Sequence, residues 1–380
     1  MTVTAARFIP LGARGISVVI NGQRSTRTLV AIACMMTVML AGAEPEPLVK
    51  VDNFHLKTER YGAAAVAAGD YIYVIAGGNR NGLLKDIERF DTRTHEIQIV
   101  ANQLKPRRYH GAVFLNGKIL IIGGQAADVF NSKVTDVDIN VDWTLINKGS
   151  ALKTVTTDRS HEGAEDSLSA SLEETAFETK LEIFDVATAE IRYGSPLPTP
   201  RISAAVVNAA GRVYVIGGLR RVGRSAAQTN LNEVYDPESD HWTTGVPMPT
   251  PREVNAVIVG DFVLVPGGTL HRAAMSKVEF FIPQQNTWMT LPDLCKPMGA
   301  GSVVHLGSYL FLFGSFGADD RVVAYDLRDR TSRTITPGFK PARHTAAIAH
   351  DGLIYVIGGS VNPEGDALTD IQVFALAEAK

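Results

Sequence analysis

The sequence Tyr71-Ile-Tyr-Val-Ile-Ala-Gly77-Gly78 decides the fold, because it recurs in similar form along almost the whole chain. Each copy is a short run of mainly β-branched and aromatic residues that ends at small residues. Later copies end at Gly123-Gly124, Gly217-Gly218, Gly267-Gly268, Gly314-Ser315 and Gly358-Gly359. The first glycines are separated by 46, 94, 50, 47 and 44 residues. A period of this length indicates a repeat architecture, in which one interval has double length.

Other residues keep the phase of this repeat. One residue of a second set precedes each glycine by 15 to 17 positions: Arg60, Arg108, Arg201, Arg252, Met298 and Arg343. A two-residue turn such as Asn116-Gly117 divides the residues between them into two apolar runs, which is typical of a β-hairpin. A third apolar segment carries an aromatic residue such as Tyr235, and Trp242 follows it after seven positions. Because the arginine recurs in five of six periods, we interpret it as a structural residue that hydrogen-bonds strand ends.

Arginine, hairpin, glycine pair, aromatic residue and tryptophan in this order closely resemble kelch repeats, over residues 48–380. The resemblance implies an all-β fold, a six-bladed β-propeller with four strands in each blade. The expected blades are residues 60–104, 108–197, 201–248, 252–294, 298–336 and 343–376. After the last aromatic residue, Phe374, no room remains for a fourth strand. We therefore expect residues 48–52 to complete the sixth blade, so that the N-terminal strand closes the ring.

Residues 1–43 differ in composition from the remainder. They contain four arginines and no lysine, aspartate or glutamate, and an apolar stretch runs from Leu29 to Leu40. Ala41-Gly42-Ala43 provides the small residues that a signal peptidase requires. The uncharged run would span about 24 Å as a helix, less than a hydrocarbon core of about 30 Å. We expect a signal peptide cleaved after Ala43 and a periplasmic or secreted domain of residues 44–380. A retained membrane anchor is the alternative.

The interval of double length predicts an insertion over residues 126–179, in the loop that follows the second glycine pair. Val134 to Trp143 alternates apolar and polar residues like a strand. Asp158 to Glu178 is acidic and poor in aliphatic residues, which favours a mobile segment. The aspartates from Asp136 to Asp142 do not form an EF-hand, because the required glycine and glutamate positions hold Val141 and Asn147.

Composition excludes several classes of function. The net charge of −3 and the pI of about 6.3 lack the basic excess of a nucleic-acid-binding protein. Two cysteines cannot form a disulfide framework. No Walker, dinucleotide-binding, zinc-protease or nucleophile-elbow motif is found in the sequence. We therefore expect no metal, no cofactor, no nucleic-acid partner and a monomer.

Candidate site residues lie where the repeats differ from one another. The loops after the glycine pairs and the segments before the first strands open on one face of a propeller, and in kelch propellers that face is the usual binding surface. The expected binding face comprises Tyr61, Arg80, Tyr109, Gln125, Arg220, Arg221, Arg224, His271, Arg272 and Phe316. Its arginines favour an anionic ligand or an acidic partner, because the protein as a whole is acidic. Solvated arginines without a ligand are the alternative.

Two functions from different classes follow. The favoured function is a non-catalytic exported module that binds a protein or a glycan through this face. The alternative is a periplasmic mutarotase or epimerase for an anionic sugar such as sialic acid, which a likeness in architecture to six-bladed bacterial kelch mutarotases implies. Mutarotation requires an acid and a base near the ring oxygen and a cation for the carboxylate. Glu253, with His344 or His110, would be the acid and base, and Arg220 the cation.

Overall fold

The computed structural model describes residues 47–126, 177–222, 225–316, 320–362 and 366–377, and the backbone of the short hairpin Val19–Ile20 and Gln23–Arg24. This hairpin lies outside the unit Pro47–Glu378, which holds every other described strand. The predicted signal peptide, the predicted strand Val134 to Trp143 and Arg224 lie outside the residues whose side chains are described. The ends of the insertion are described, and the Glu178 amide donates to the Gly124 carbonyl oxygen at 2.8 Å. The insertion therefore leaves and rejoins the fold at one place.

Six four-stranded antiparallel sheets, numbered here as sheets 1 to 6, make up the described part of Pro47–Glu378. Sheet 1 consists of Ala64–Ala68, Tyr71–Ile75, Ile87–Asp91 and Ile97–Ala101. Sheet 2 consists of Gly111–Leu115, Lys118–Ile122, Leu181–Asp185 and Ile191–Gly194. Sheet 3 consists of Ala205–Ala209, Arg212–Ile216, Asn232–Asp236 and His241–Thr244.

The remaining three sheets have the same order of strands. Sheet 4 consists of Val257–Val259, Phe262–Pro266, Val278–Ile282 and Thr287–Leu291, with a 3-10 turn at Pro283–Gln285. Sheet 5 consists of Ser302–Leu306, Tyr309–Phe313, Val322–Asp326 and Thr331–Ile335. Sheet 6 consists of Ala346–His350, Leu353–Ile357, Leu368–Leu376 and, at its outer edge, Leu48–Arg60.

Short hairpins extend from the glycine-pair loops of sheets 1, 3 and 4 and are called the rim hairpins below. They are Gly78–Asn79 with Gly82–Leu83, Leu219–Val222 with Ser225–Gln228, and Thr269–Leu270 with Ala273–Ala274. Arg201–Ile202 pairs with the second of these hairpins. Within the described ranges, no helix is long and apolar enough to cross a bilayer.

The sheets are arranged as a closed ring. First strands of neighbouring sheets contact one another from sheet 1 to sheet 6 and back to sheet 1. Six buried apolar clusters lie between neighbours, and one of them joins Tyr355 and Val373 of sheet 6 to Phe90 of sheet 1. The second strands are almost wholly buried because they have a sheet on either side, as in Tyr71–Ile75. This arrangement confirms the predicted all-β propeller.

The N-terminal strand completes sheet 6. Leu48–Arg60 pairs antiparallel with Leu368–Leu376, and Leu48 lies opposite Leu376. The Leu48 side chain is fully buried in the cluster between sheets 5 and 6, together with Phe311 and Phe374. The strand is longer than the predicted residues 48–52, because its pairing resumes at Arg60 after an irregularity that begins at His55.

Buried arginines tie the interior of four sheets together. Arg60, Arg107, Arg201 and Arg252 are 0 to 1% exposed, and they pair with glutamates on the third strands of sheets 1, 2, 3 and 4, respectively. Arg252, for example, approaches Glu279 at 2.5 Å and donates to the carbonyl oxygens of Val265 and Gly267. The interpretation of the repeated arginine as a residue that hydrogen-bonds strand ends is therefore confirmed for Arg60, Arg201 and Arg252.

Two of the six assigned repeat positions were wrong by one residue. In sheet 2 the buried arginine is Arg107, and Arg108 lies beside it on the expected binding face. In sheet 6 the equivalent buried residue is Ala342, and Arg343 occupies the place of Arg108. The error arose because Arg107 and Arg108 are consecutive, so the spacing to the glycines could not distinguish them.

A residue with positive φ ends each second strand against the next sheet, and it is glycine in sheets 2 to 6. Gly217 has a φ of +63°, and a Cβ there would lie 2.7 Å from the Arg252 carbonyl oxygen. A side chain would therefore clash with the backbone of sheet 4. In sheet 1 the two positions are occupied by Ala76 and Gly77, which have φ of 47° and 107°. The pair of positive-φ residues in sheet 1 therefore begins one residue earlier than the sequence pattern indicated.

Candidate functional site

A cavity of about 110 Å³ lies at the centre of the expected binding face and is called the central cavity. All six sheets contribute lining residues, mostly from the segments just before their first strands. The polar side chains among them are Tyr109, His110, Ser203, Glu253, Asn255, Thr269, Ser302, His344 and Thr345. Tyr109, His110, Glu253, His344 and Phe316 were predicted from the sequence as candidate site residues. The structure brings these five together around one cavity.

Backbone hydrogen bonds connect the sheets around the mouth of this cavity. We call the six residues involved the mouth belt: Gly62, Tyr109, Ser203, Val254, Ala300 and His344. At five junctions the amide of one belt residue donates to the carbonyl oxygen of the belt residue in the preceding sheet, at 2.6 to 3.0 Å. The donors and their acceptors are Val254 and Ser203, Ser203 and Tyr109, Tyr109 and Gly62, Gly62 and His344, and His344 and Ala300. Five belt residues have a φ between 52° and 61°, and Val254 does not. Left-handed backbone lets one residue bond to both neighbours along the ring.

The mouth belt is interrupted between sheets 4 and 5. No backbone hydrogen bond joins the described residues Val254 and Ala300. A side chain bridges this junction instead, because the Asn255 amide donates to the Gly301 carbonyl oxygen. The first strand of sheet 4 is also the shortest, Val257–Val259. Residues on both sides of the interruption line the central cavity, from Glu253 to Asn255 and from Met298 to Val303.

Aromatic rings and one guanidinium occupy the side of the mouth that runs from sheet 5 through sheets 6 and 1 to sheet 2. The His344 ring lies 4.9 Å from the Tyr109 ring and 6.2 Å from the Phe316 ring, between ring centres. The Arg108 guanidinium carbon lies 5.3 Å from the ring centre of Tyr61 and 5.2 Å from that of Tyr109, which is cation–π geometry. Phe316 is 43% exposed. The cluster therefore presents an apolar ring to solvent beside a fixed positive charge.

Burial keeps several lining groups uncharged. It raises the pKa of the Tyr109 hydroxyl to about 12. Burial, together with the charges of Arg343 and Arg108, lowers the pKa of the His344 ring to about 4. Burial also lowers the pKa of His110 to about 3. His110 is 7% exposed, and its ring lies near the backbone carbonyl of Ile75. Both histidines are therefore neutral at pH 7.

Glu253 is the acidic side chain of the central cavity. It is half-buried, and burial raises the pKa of its carboxyl against the effect of hydrogen bonds from Gln228 and Ser203. The Gln228 amide donates to one carboxyl oxygen at 3.3 Å. Ion pairs between described residues do not include Glu253.

The other predicted face residues lie around the cavity and not in its lining. Arg80 is 64% exposed on the first rim hairpin and lies near Glu59 and Asp366, at 3.8 and 3.3 Å. Arg220 and Arg221 belong to the second rim hairpin, and exposed His271 and Arg272 to the third. Gln125 is 8% exposed, and its side-chain oxygen accepts a hydrogen bond from Arg108 at 2.9 Å.

Sequence reasoning missed three residues at this site. Arg108 and Arg343 were assigned to the structural repeat, although Arg108 bonds to the Tyr61 hydroxyl and Arg343 donates to the Asn362 carbonyl oxygen at 2.7 Å. The doubled Arg107-Arg108 was the available signal for the first. Asn255, which bridges the interrupted junction, carries no signal in the repeat pattern. No group of three or more potential metal ligands occurs among the described residues.

Comparison with known proteins places this architecture among proteins with the same repeat. The profile of the kelch motif matches residues 59–96, 106–139 and 200–249. Kelch-like protein terF of Aspergillus terreus is 31% identical over 49% of this chain and 43% of its own length. Human Kelch-like protein 23 is 26% identical over 48% of this chain and 34% of its own. Beta-scruin of Limulus polyphemus is 26% identical over 71% of this chain and 27% of its own. The chain thus spans less than half the length of these relatives.

Proposed function

Because the chain belongs to the kelch-repeat family, we propose that it is a non-catalytic module that binds a protein through the face around the central cavity. The aromatic and cationic cluster at the cavity mouth carries this proposal. Phe316 is 43% exposed beside His344, and Arg108 is held in place by Tyr61 and Gln125. Aromatic residues and arginine, held rigidly at the centre of a face, are the residues that dominate binding energy at protein interfaces.

Charge at the edge of this face supports a partner with acidic groups, or an anionic carbohydrate, around its margin. Arg220, Arg221 and Arg272 lie on rim hairpins, whereas the whole chain carries a net charge of −3. An acidic protein with a locally basic face attracts anionic surfaces and repels them elsewhere. Arg80 contributes less, because Glu59 and Asp366 lie near it.

Charge reversal on the rim tests this function. We expect the triple variant Arg220→Glu, Arg221→Glu and Arg272→Glu to lose at least about tenfold of the partner captured by the wild type. Capture is measured by quantitative mass spectrometry of cross-linked extracts from the native host. The matched control reverses Arg212 and Arg330, which are exposed at the opposite ends of the strands, Arg212 at the start of a strand and Arg330 in a turn. Equal capture by both variants and the wild type would contradict a role for this face.

Export is part of the proposal. The arginines of residues 1–43, the apolar stretch and the small residues before Glu44 support a cleaved signal peptide and a periplasmic or secreted protein. Intact-mass measurement of the protein from its native host tests this directly. A mature chain that begins at Glu44 is the expected result, and a chain that retains Leu29 to Leu40 would contradict cleavage.

A sugar mutarotase is the second candidate, because Glu253, His110 and His344 line the same cavity. Its support is limited to that placement, and Arg220, the expected cation for a sugar carboxylate, is not a lining residue. Anomer exchange of sialic and uronic acids, followed by NMR, tests the activity. Mutarotase activity is indicated if the wild type accelerates anomer exchange and Glu253→Gln does not. Glu59→Gln, on the same face, is the control.

A further inference from the structure

We propose that the central cavity receives a basic side chain of the bound partner, a lysine or an arginine, with the Glu253 carboxylate as its counter-charge. This inference rests on the proposed function, because it assigns the centre of the same face a ligand chemistry of its own. It also differs from the chemistry of the rim, where the arginines favour acidic groups. A partner that fits both would carry one basic side chain surrounded by acidic or polar ones.

The charge inside the cavity supports a basic ligand. Tyr109, His110 and His344 are neutral at pH 7, so Glu253 is the acidic side chain of the lining that can supply a negative charge, and burial raises the pKa of its carboxyl. Its described contacts are the Gln228 amide at 3.3 Å and Ser203, and neither is a cation. A half-buried carboxylate without a positive partner is costly, and an incoming cation would offset that cost. The cavity therefore selects a positive group over a negative one.

Hydrogen-bond acceptors in the cavity fit the same ligand. A neutral imidazole has one nitrogen that accepts a hydrogen bond, and the buried His110 lines the cavity. The Val254 carbonyl, next to Glu253, accepts no bond from Ala300, although the other described belt junctions have this bond. An ammonium or guanidinium group has three to five donors, so it can satisfy several such acceptors together.

The opposite side of the mouth fixes where the cation lies. Arg108 and Arg343 already have partners, in Tyr61, Gln125 and the Asn362 carbonyl. They would repel a second cation beside Tyr109 and His344. The incoming group therefore lies toward sheets 4 and 5, against Glu253 and the interrupted junction of the mouth belt. The exposed Phe316 ring can then cover its aliphatic stem, as stems of basic side chains pack on apolar surface.

Titration with small probes tests this inference on the full chain. The probes are n-butylammonium, n-butanol and n-butyrate, which share an alkyl stem and differ in charge, and binding is followed by NMR shifts of Asn255 and Phe316. We expect saturable binding of n-butylammonium, at least about tenfold tighter than that of either other probe. Glu253→Gln should weaken it at least about tenfold, whereas Glu253→Asp, which keeps the charge, should weaken it less. Glu59→Gln, a rim acid beside Arg80, is the matched control and should leave it unchanged.

Three outcomes would overturn the inference: equal binding of n-butanol, tighter binding of n-butyrate, or unchanged n-butylammonium affinity in Glu253→Gln. The backbone shifts of each variant show that it is folded. Because the titration contains no partner protein, its result does not depend on the capture experiment. Loss of n-butylammonium binding with intact partner capture contradicts this inference alone. Capture that is insensitive to the rim variants contradicts the proposed function alone.

Discussion

Four of the six sheets contain a buried arginine–glutamate pair, and two sheets lack it. Sheets 1 to 4 contain the pair, but sheet 5 has Met298 and Val323 at the same positions, and both are buried. Sheet 6 has Ala342 and Gln372, and the Gln372 side-chain oxygen accepts a bond from the Lys340 amide at 2.7 Å. The propeller geometry therefore tolerates an apolar replacement of both partners. Removal of one partner alone destabilises the fold, because it leaves a buried charge without a counter-charge.

A double-mutant cycle at Arg252 and Glu279 tests this distinction. Arg252→Met alone leaves the Glu279 carboxylate 1% exposed without its cation, and we expect a loss of about 3–5 kcal/mol in the free energy of unfolding. Adding Glu279→Val reproduces the pair found in sheet 5, so the double variant should be more stable than Arg252→Met. Urea denaturation measures all three variants. Additive losses would show that the two side chains act independently and would contradict the interpretation.

Residue identity at the site could be predicted in part. Tyr109, His110, Glu253 and His344 were found because they precede first strands, where repeats bring their variable residues to one face. The mouth belt could not be found in this way. Tyr109, Ser203, Ala300 and His344 adopt positive φ without being glycine, so only Gly62 among these belt residues carries a conformational signal in the sequence.

At the scale of elements, the closing strand shows what counting can establish. The last repeat lacks a fourth strand, and the chain between the predicted cleavage point and Arg60 was long enough to supply it. Counting did not give the strand's length, because the pairing between His55 and Arg60 is irregular and depends on the shape of the neighbouring sheet. The rim hairpins were likewise expected only as loops, since their pairs of two to four residues have weak patterns.

The closing strand should contribute stability through its buried end. We expect Leu48→Ala to lower the free energy of unfolding by about 2–5 kcal/mol, because Leu48 is fully buried against sheet 5. Val51→Ala, on the same strand but 51% exposed, should change it by no more than about 0.5 kcal/mol. Thermal or urea unfolding compares the two variants. Similar effects would mean that the strand is held by its backbone pairing and that the Leu48 contact adds little.

For the whole molecule, the ring is closed in two layers that differ in continuity. The apolar layer is complete, because a buried cluster fills each of the six junctions. The polar layer, the mouth belt, has bonds at five junctions and a side-chain bridge from Asn255 at the junction of sheets 4 and 5. A ring with one weaker junction opens there first, since local opening follows the fewest cooperative contacts. The same junction borders Glu253, so a ligand at the cavity would act where the mouth belt is interrupted.

Hydrogen exchange on Asn255→Ala tests whether this junction is where the ring opens. The substitution removes the bond to the Gly301 carbonyl, and we expect amides of Val257–Val259 and Ser302–Leu306 to exchange at least about threefold faster. Amides of Tyr109 and Ser203, which bond across intact junctions, should keep their wild-type rates. Asn208→Ala, on the first strand of sheet 3, is the matched control, because the Asn208 side-chain oxygen has no partner among the described residues. Faster exchange in all six sheets would instead show that the ring opens as one cooperative unit, and the junction would then have no separate role in admitting a ligand.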